Sequence, residues 1–100
     1  KHTPIDYGLE VRGLWRDKQK RLWVASKKGT IRIYAPDGQL QGYLNQQGTI
    51  SKDMVIFPDN IYCFMEDKDG IIWMGGKEKG LFRLEKKDET HFSIYQTTGK

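Results

Sequence analysis

One cysteine, Cys63, in 100 residues excludes an internal disulfide and any cysteine-based zinc cluster. It lies between Tyr62 and Phe64 in a strand-like run, which predicts a small buried apolar residue. No apolar run approaches the roughly 18 residues that a membrane span requires. Lys1, His2, Thr3 and Pro4 do not read as a signal peptide, so no membrane contact is expected of this segment and any leader or anchor would lie outside it. The two histidines, His2 and His91, have no cysteine or carboxylate at ligand spacing and read as surface residues. No Ser, His and Asp grouping suggests a nucleophile. Lys27-Lys28-Gly29 and Gly75-Gly76-Lys77 lack the first glycine and the terminal Ser or Thr of a phosphate loop. The expectation is therefore no enzyme in this segment, no catalytic residue, no metal and no cofactor. Core-forming residues are also scarce, with 37% hydrophobic against 30% charged. That suits a folded but incomplete unit better than a self-sufficient domain or a disordered chain.

What the sequence does have is a repeat. Val11 to Val24 aligns without a gap over Ile61 to Met74, placing Asp17 on Asp67 and Trp23 on Trp73. After one inserted residue, Gly29-Thr30-Ile31-Arg32-Ile33 aligns with Gly80-Leu81-Phe82-Arg83-Leu84, and Leu40 with Tyr43 then matches Phe92 with Tyr95. A spacing of about 50 residues is that of a propeller blade, and a repeat unit cannot bury its apolar faces alone. The pattern predicts an all-β fold of about two four-stranded antiparallel blades, one over residues 1–50 with its connecting loop and one over 51–100, within a larger array. The expected strands are Val11–Arg16, Arg21–Ala25, Thr30–Tyr34 and Leu40–Leu44, then Ile61–Glu66, Ile71–Gly75, Leu81–Leu84 and Phe92–Gln96. Leu22, Trp23 and Val24, like Ile72, Trp73 and Met74, are apolar on both faces, as blades packed face to face demand. Asn45 to Asn60 reads as a long loop carrying an apolar insert, Ile50 and Met54 to Phe57.

The formal charge of +4 is unevenly spread. Between Arg16 and Arg32 the first unit sets seven cations against Asp17 alone, whereas the second unit is balanced. Cations confined to one unit and mostly at turns read as a solvated rim, so nucleic acid is not expected as a partner. Asp67-Lys68-Asp69-Gly70 resembles the opening of a calcium loop, but its copy, Asp17-Lys18-Gln19-Lys20, loses a carboxylate. A turn in which the first Asp accepts backbone N–H bonds accounts for both copies.

The run Asp67, Gly70, Trp73 and Gly75, followed by Gly80, Leu81 and Arg83, resembles the two-component regulator propeller repeat. The first unit departs from it at Gln19, Lys20, Ala25 and Thr30. The resemblance implies a segment of a seven-bladed propeller in the periplasmic part of a sensor histidine kinase. Many such kinases are hybrid two-component systems of Bacteroidetes that detect oligosaccharides. The partners it implies are an oligosaccharide or other small ligand and the remaining blades of the parent. Two alternatives are a propeller scaffold for protein partners and the non-catalytic blades of a propeller lyase or hydrolase.

Propellers bind ligands on the face formed by the loops entering the first strand and those joining the second to the third. By position, that face would include Arg12, Tyr62, Asp59, Asn60, Lys27 and Lys77, which together offer hydrogen-bonding groups, cations and an aromatic plate. Trp23 and Trp73 read as blade core rather than sugar platforms. Trp15, whose counterpart is Met65, departs for a local reason. A lone pair of blades leaves apolar faces and sheet edges open, so the isolated chain is expected to self-associate.

Overall fold

The computed structural model describes residues 11–97. His2 and the other residues of 1–10 lie outside it. Among the described residues there is no helix. Two antiparallel sheets follow each other in the chain. The first contains β1 (Val11–Arg16), β2 (Leu22–Ser26), β3 (Ile31–Tyr34), β4 (Leu40–Leu44) and β5 (Ile50–Ser51), in that spatial order. The second contains β6 (Ile61–Glu66), β7 (Ile72–Gly76), β8 (Leu81–Lys86) and β9 (Phe92–Thr97). Up-and-down sheets with their inner strands β1 and β6 in contact are propeller blades.

The core is the seam between the blades. Trp15 stacks on Phe64 with centroids 5.8 Å apart and planes 13° apart. Trp23, fully buried, meets Phe64 and Phe92 edge-on at 6.0 and 5.6 Å. Stacked and edge-on aromatic pairs of this kind contribute beyond the area they bury. Trp15 thus departs from the pattern of its counterpart because it caps this particular seam. The inner strands approach so closely that a Cβ on Gly13 would lie 3.1 Å from Phe64 Cε2 and 3.2 Å from the Tyr62 carbonyl oxygen.

Three expectations are corrected. The segment read as loop contributes a fifth strand, because Ile50 is buried beside Leu44 and pairs with it. Its neighbours also join the blades, since Ile50 N–H donates to Thr90 O and Phe92 N–H to Gly48 O. The second correction concerns register. Trp23 pairs with Ile33 and Trp73 with Arg83, so the first three strands of each blade keep an offset of 50 and the aligned Arg32 and Arg83 lie on opposite faces. The β2–β3 and β7–β8 turns have equal length. Gly29 takes φ +101° at the fourth position of its turn and Gly80 takes +86° at the fifth, which moves the glycine motif without moving the strands. Third, Cys63 is exposed rather than buried. It replaces Gly13 on the blade face that the seam covers in the first sheet and leaves open in the second.

Both β1–β2 type turns are closed by one carboxylate. Asp17 Oδ1 accepts from Gln19 and Arg21 N–H, and its Oδ2 accepts from Trp23 Nε1 at 2.9 Å. Asp67 repeats the arrangement with Asp69 and Ile71 N–H and with Trp73 Nε1 at 3.1 Å. In the first blade Arg21 adds a buried ion pair to Asp17 at 3.0 Å and donates across the seam to Glu89 O. Arg21 is therefore no part of the solvated basic rim. Where the second blade has Gly70, the first has Lys20, which adopts φ +72°.

A β-carbon in the left-handed region costs about 1–2 kcal/mol, partly offset by glycine's greater freedom in the unfolded chain. Lys20→Gly should therefore stabilise the chain by about 1 kcal/mol, read as a higher urea midpoint with unchanged slope. Asp17→Ala strands a buried guanidinium and an indole N–H, and should cost about 3–5 kcal/mol. Asp67→Ala, at an exposed turn without an arginine, should lower the same midpoint by visibly less.

Candidate functional site

The antiparallel connections place the β2–β3 turn, the β7–β8 turn and the loop entering β6 at one end of the blades. The loop, residues 52–60, is pinned there by Phe57 N–H donating to Gly29 O and by Lys77 N–H donating to Asn60 O. Phe57 is buried edge-on against Phe82 at 5.2 Å. Of the apolar insert, Phe57 thus clamps the blades, while Met54 and Ile56 stay exposed.

Arg12 and Tyr62 come together. Each sits within a register shift, between Val11 and Gly13 in β1 and between Ile61 and Cys63 in β6. A bulge re-aims the side chain of the extra residue, and duplication of the bulge brings these equivalent positions into contact. Arg12 Nη1 donates to the Tyr62 hydroxyl at 3.0 Å, and its guanidinium carbon lies 5.0 Å from the ring centroid. The Arg12 Nε is buried without a hydrogen-bond partner. The same holds for Arg32 over Tyr43 and Arg83 over Tyr95. In all of them a tyrosine ring occupies the space beside the guanidinium.

Asp59 is a structural carboxylate. Burial alone would raise its pKa, but backbone N–H groups of Lys79, Glu78 and Asn60 donate to it and hold it below the ordinary carboxylate value. Its oxygens are committed to the β7–β8 turn, and a Cβ on Gly76 would collide with them. Asn60 follows, half-buried, while Lys27 and Lys77 are exposed on the turns of their own blades. A shallow hollow of about 300 Å³ lies among Lys28, Ile56, Asp59, Asn60 and Glu78. The predicted residues therefore form an Arg12–Tyr62 pair and an Asp59–Asn60–Lys77 turn assembly at the same end.

A larger cleft was not anticipated from the sequence. It occupies about 560 Å³ at the opposite end, where the blades diverge between Asp17, Lys18, Arg21, Glu66, Asp69 and Phe92. Lys18 spans it, with its N–H on Glu66 Oε1 and its Nζ on Asp67 O, both at 3.0 Å. Asp67 is held below the ordinary carboxylate value, first by the Trp73 indole and then by Ile71 N–H. Within the cleft Asp17 and Arg21 pair with each other, while the Lys18 ammonium and the Glu66 carboxylate are engaged by backbone groups. The duplicated Asp-Lys dipeptide, 17–18 and 67–68, was the available sequence signal, but it does not reveal that Lys18 reaches the next blade. At the outer rim His91 is exposed as expected. It is not isolated, since its Nδ1 lies 2.9 Å from Asp88 Oδ1 and this contact lowers the Asp88 pKa. Among the described residues no cluster of His, Cys, Asp and Glu could hold a metal ion.

Residues 56–78 match the family model of the two component regulator propeller. Over that span the second blade is similar to the two component regulator propeller repeat. The matched span runs from the pinned loop through β6 and β7 into the β7–β8 turn, so it contains Asp59, Asn60, Tyr62, Asp67, Trp73 and Lys77. Comparison with curated proteins and with solved structures gave no match. The first blade lies outside the matched span, in keeping with Gln19, Lys20 and Ala25 where the repeat has Asp69, Gly70 and Gly75.

Because hydrogen bonds depress the Asp59 pKa, its contribution to stability is complete above the unfolded-state value. It is lost as pH falls through the lower folded-state value. Asp59→Asn should therefore be less stable at neutral pH and lose less stability on acidification than the parent. Urea unfolding followed at about pH 7 and about pH 3 checks both signs.

Proposed function

We propose that this chain is a non-enzymatic, ligand-sensing segment of a propeller in the periplasmic, sensory part of a two-component histidine kinase, and that its ligand is an oligosaccharide. The observation that carries the reading is the paired bulge that turns Arg12 and Tyr62 toward each other at the loop-bearing end of the inner strands. A guanidinium beside a phenol ring offers a sugar hydrogen-bond donors and a flat apolar surface, and adds a charge for uronate or sulfate groups. Lys27 and Lys77 reinforce the positive potential of that end. Signal output would require the ligand to bind one poise of the sensor more tightly than another.

Calorimetric titration with neutral and uronate-containing oligosaccharides tests the assignment. A hydrogen bond to a charged group contributes about 1.5–3 kcal/mol, so Arg12→Ala should weaken acidic oligosaccharides about 10- to 100-fold. Tyr62→Ala should weaken both classes. Binding to neither class, or equal binding by parent and both variants, would refute the reading.

A further inference from the structure

A third hollow, of about 500 Å³, opens within the seam, between the β4–β5 turn, the loop entering β6 and the outer strand β9. Backbone contacts hold these pieces together. Phe92 N–H donates to Gly48 O, Ile50 N–H donates to Thr90 O and Thr49 bridges to His91, so the β4–β5 turn is docked on the second sheet. Gly48 permits the approach, because a Cβ there would collide with the Phe92 carbonyl oxygen. On β9, Ile94 and Gln96 share the face of Phe92, which meets Trp23 of the first sheet. The hollow therefore lies between the two described sheets. A further blade, stacked on an outer face of either sheet, would leave it open.

Its floor is apolar and its rim is made of amides. Phe57, Phe82 and Ile94 form the floor, while Gln46 and Gln47 from the β4–β5 turn and Gln96 from β9 stand above it, exposed. Three of the chain's six glutamines thus converge on one opening. Gln96 Nε2 reaches Lys79 O at 3.4 Å, a weak contact, and the side chains of Gln46 and Gln47 have no hydrogen-bond partner among the described residues. The amides are available. Lys79 is the one charged residue among those lining the hollow, and its charge is partly offset by Asp59, whose carboxylate it stabilises. A primary amide donates and accepts at once, as a hydroxyl does, and gives an ion no advantage over a neutral group.

We infer that this hollow is a second ligand site, and that it takes a neutral, polyhydroxylated ring compound of disaccharide size. Hydroxyl groups of the ligand meet the Gln46, Gln47 and Gln96 amides, and the C–H face of a ring covers the apolar floor. The volume falls within the roughly 300–1,000 Å³ of small-molecule pockets. The site differs in kind from the Arg12–Tyr62 pair, where a guanidinium favours acidic groups. The two share no residue, so this inference stands or falls apart from that reading.

The chain is titrated with cellobiose and, separately, with maltose, while ¹H–¹⁵N correlation spectra follow the side-chain amides of its glutamines. The expected result is that at least one sugar shifts the Gln46, Gln47 and Gln96 signals together and saturably, leaving Gln19, Gln39 and Gln41 unmoved. Arg12→Ala should show the same shifts. Gln47→Ala and Gln96→Ala, both at exposed positions, should each weaken binding about 3- to 10-fold, as the loss of one neutral hydrogen bond does. No movement of the three signals with either sugar up to about 10 mM, well above the dissociation constant of a millimolar site, would overturn the inference. Equal shifts with glycerol would do the same. A tighter response to cellobiouronic acid than to cellobiose would also overturn it, by making the Lys79 ammonium rather than the amides the recognising group.

Discussion

The fold depends on one carboxylate per blade. In each blade an aspartate at the first turn accepts two backbone N–H groups and then the indole N–H of a tryptophan six residues on. The backbone bonds close the hairpin, and the indole bond fixes the plane of the largest side chain in the central strand. With that plane fixed, Trp23 offers its edges to Phe64 and Phe92, and the seam between blades becomes a set of defined aromatic contacts. Burying a carboxylate is tolerable only when its lone pairs are used, and Asp17 meets this condition with backbone, indole and guanidinium partners.

The two blades apply this device differently. The second keeps the glycine that suits its turn and leaves the aspartate only half-buried. The first holds Lys20 in a strained conformation and locks its carbonyl with Arg16 Nη1. It also adds Arg21, which reaches both Asp17 and the neighbouring blade. The first blade is thereby committed to its partner, while among the described residues Met65 and Tyr95 of the second stay exposed.

Much of this was legible in the sequence. The repeat of Asp17 and Trp23 at Asp67 and Trp73 predicts two like units, and apolar residues on both faces of the central strands predict stacking. The turn reading of Asp67 to Gly70 was correct because an aspartate before a glycine has a local explanation that needs no metal. Errors arose where a local pattern has more than one tertiary solution. The shifted glycine suggested an insertion, yet equal turn lengths absorb it and reverse the face of Arg32 relative to Arg83. Cys63 looked like core because its flanks are aromatic, but burial depends on whether a neighbouring blade covers that face. For the site, the end of the blades could be predicted from strand order. That Asp59 is consumed by its own turn could not.

The sequence by itself determined the blade architecture, since alternation, turn residues and a repeat near 50 residues are local or periodic properties. Only the tertiary structure decided which groups of the chain meet. The pairing of Arg12 with Tyr62, the reach of Lys18 and Arg21 across the seam, and the open face at Met65 and Trp73 join residues about 50 to 70 positions apart or depend on a neighbour's presence. The physical reason is that side-chain proximity across a seam follows from bulges and sheet register, and a one-residue change in either turns a side chain to the opposite face.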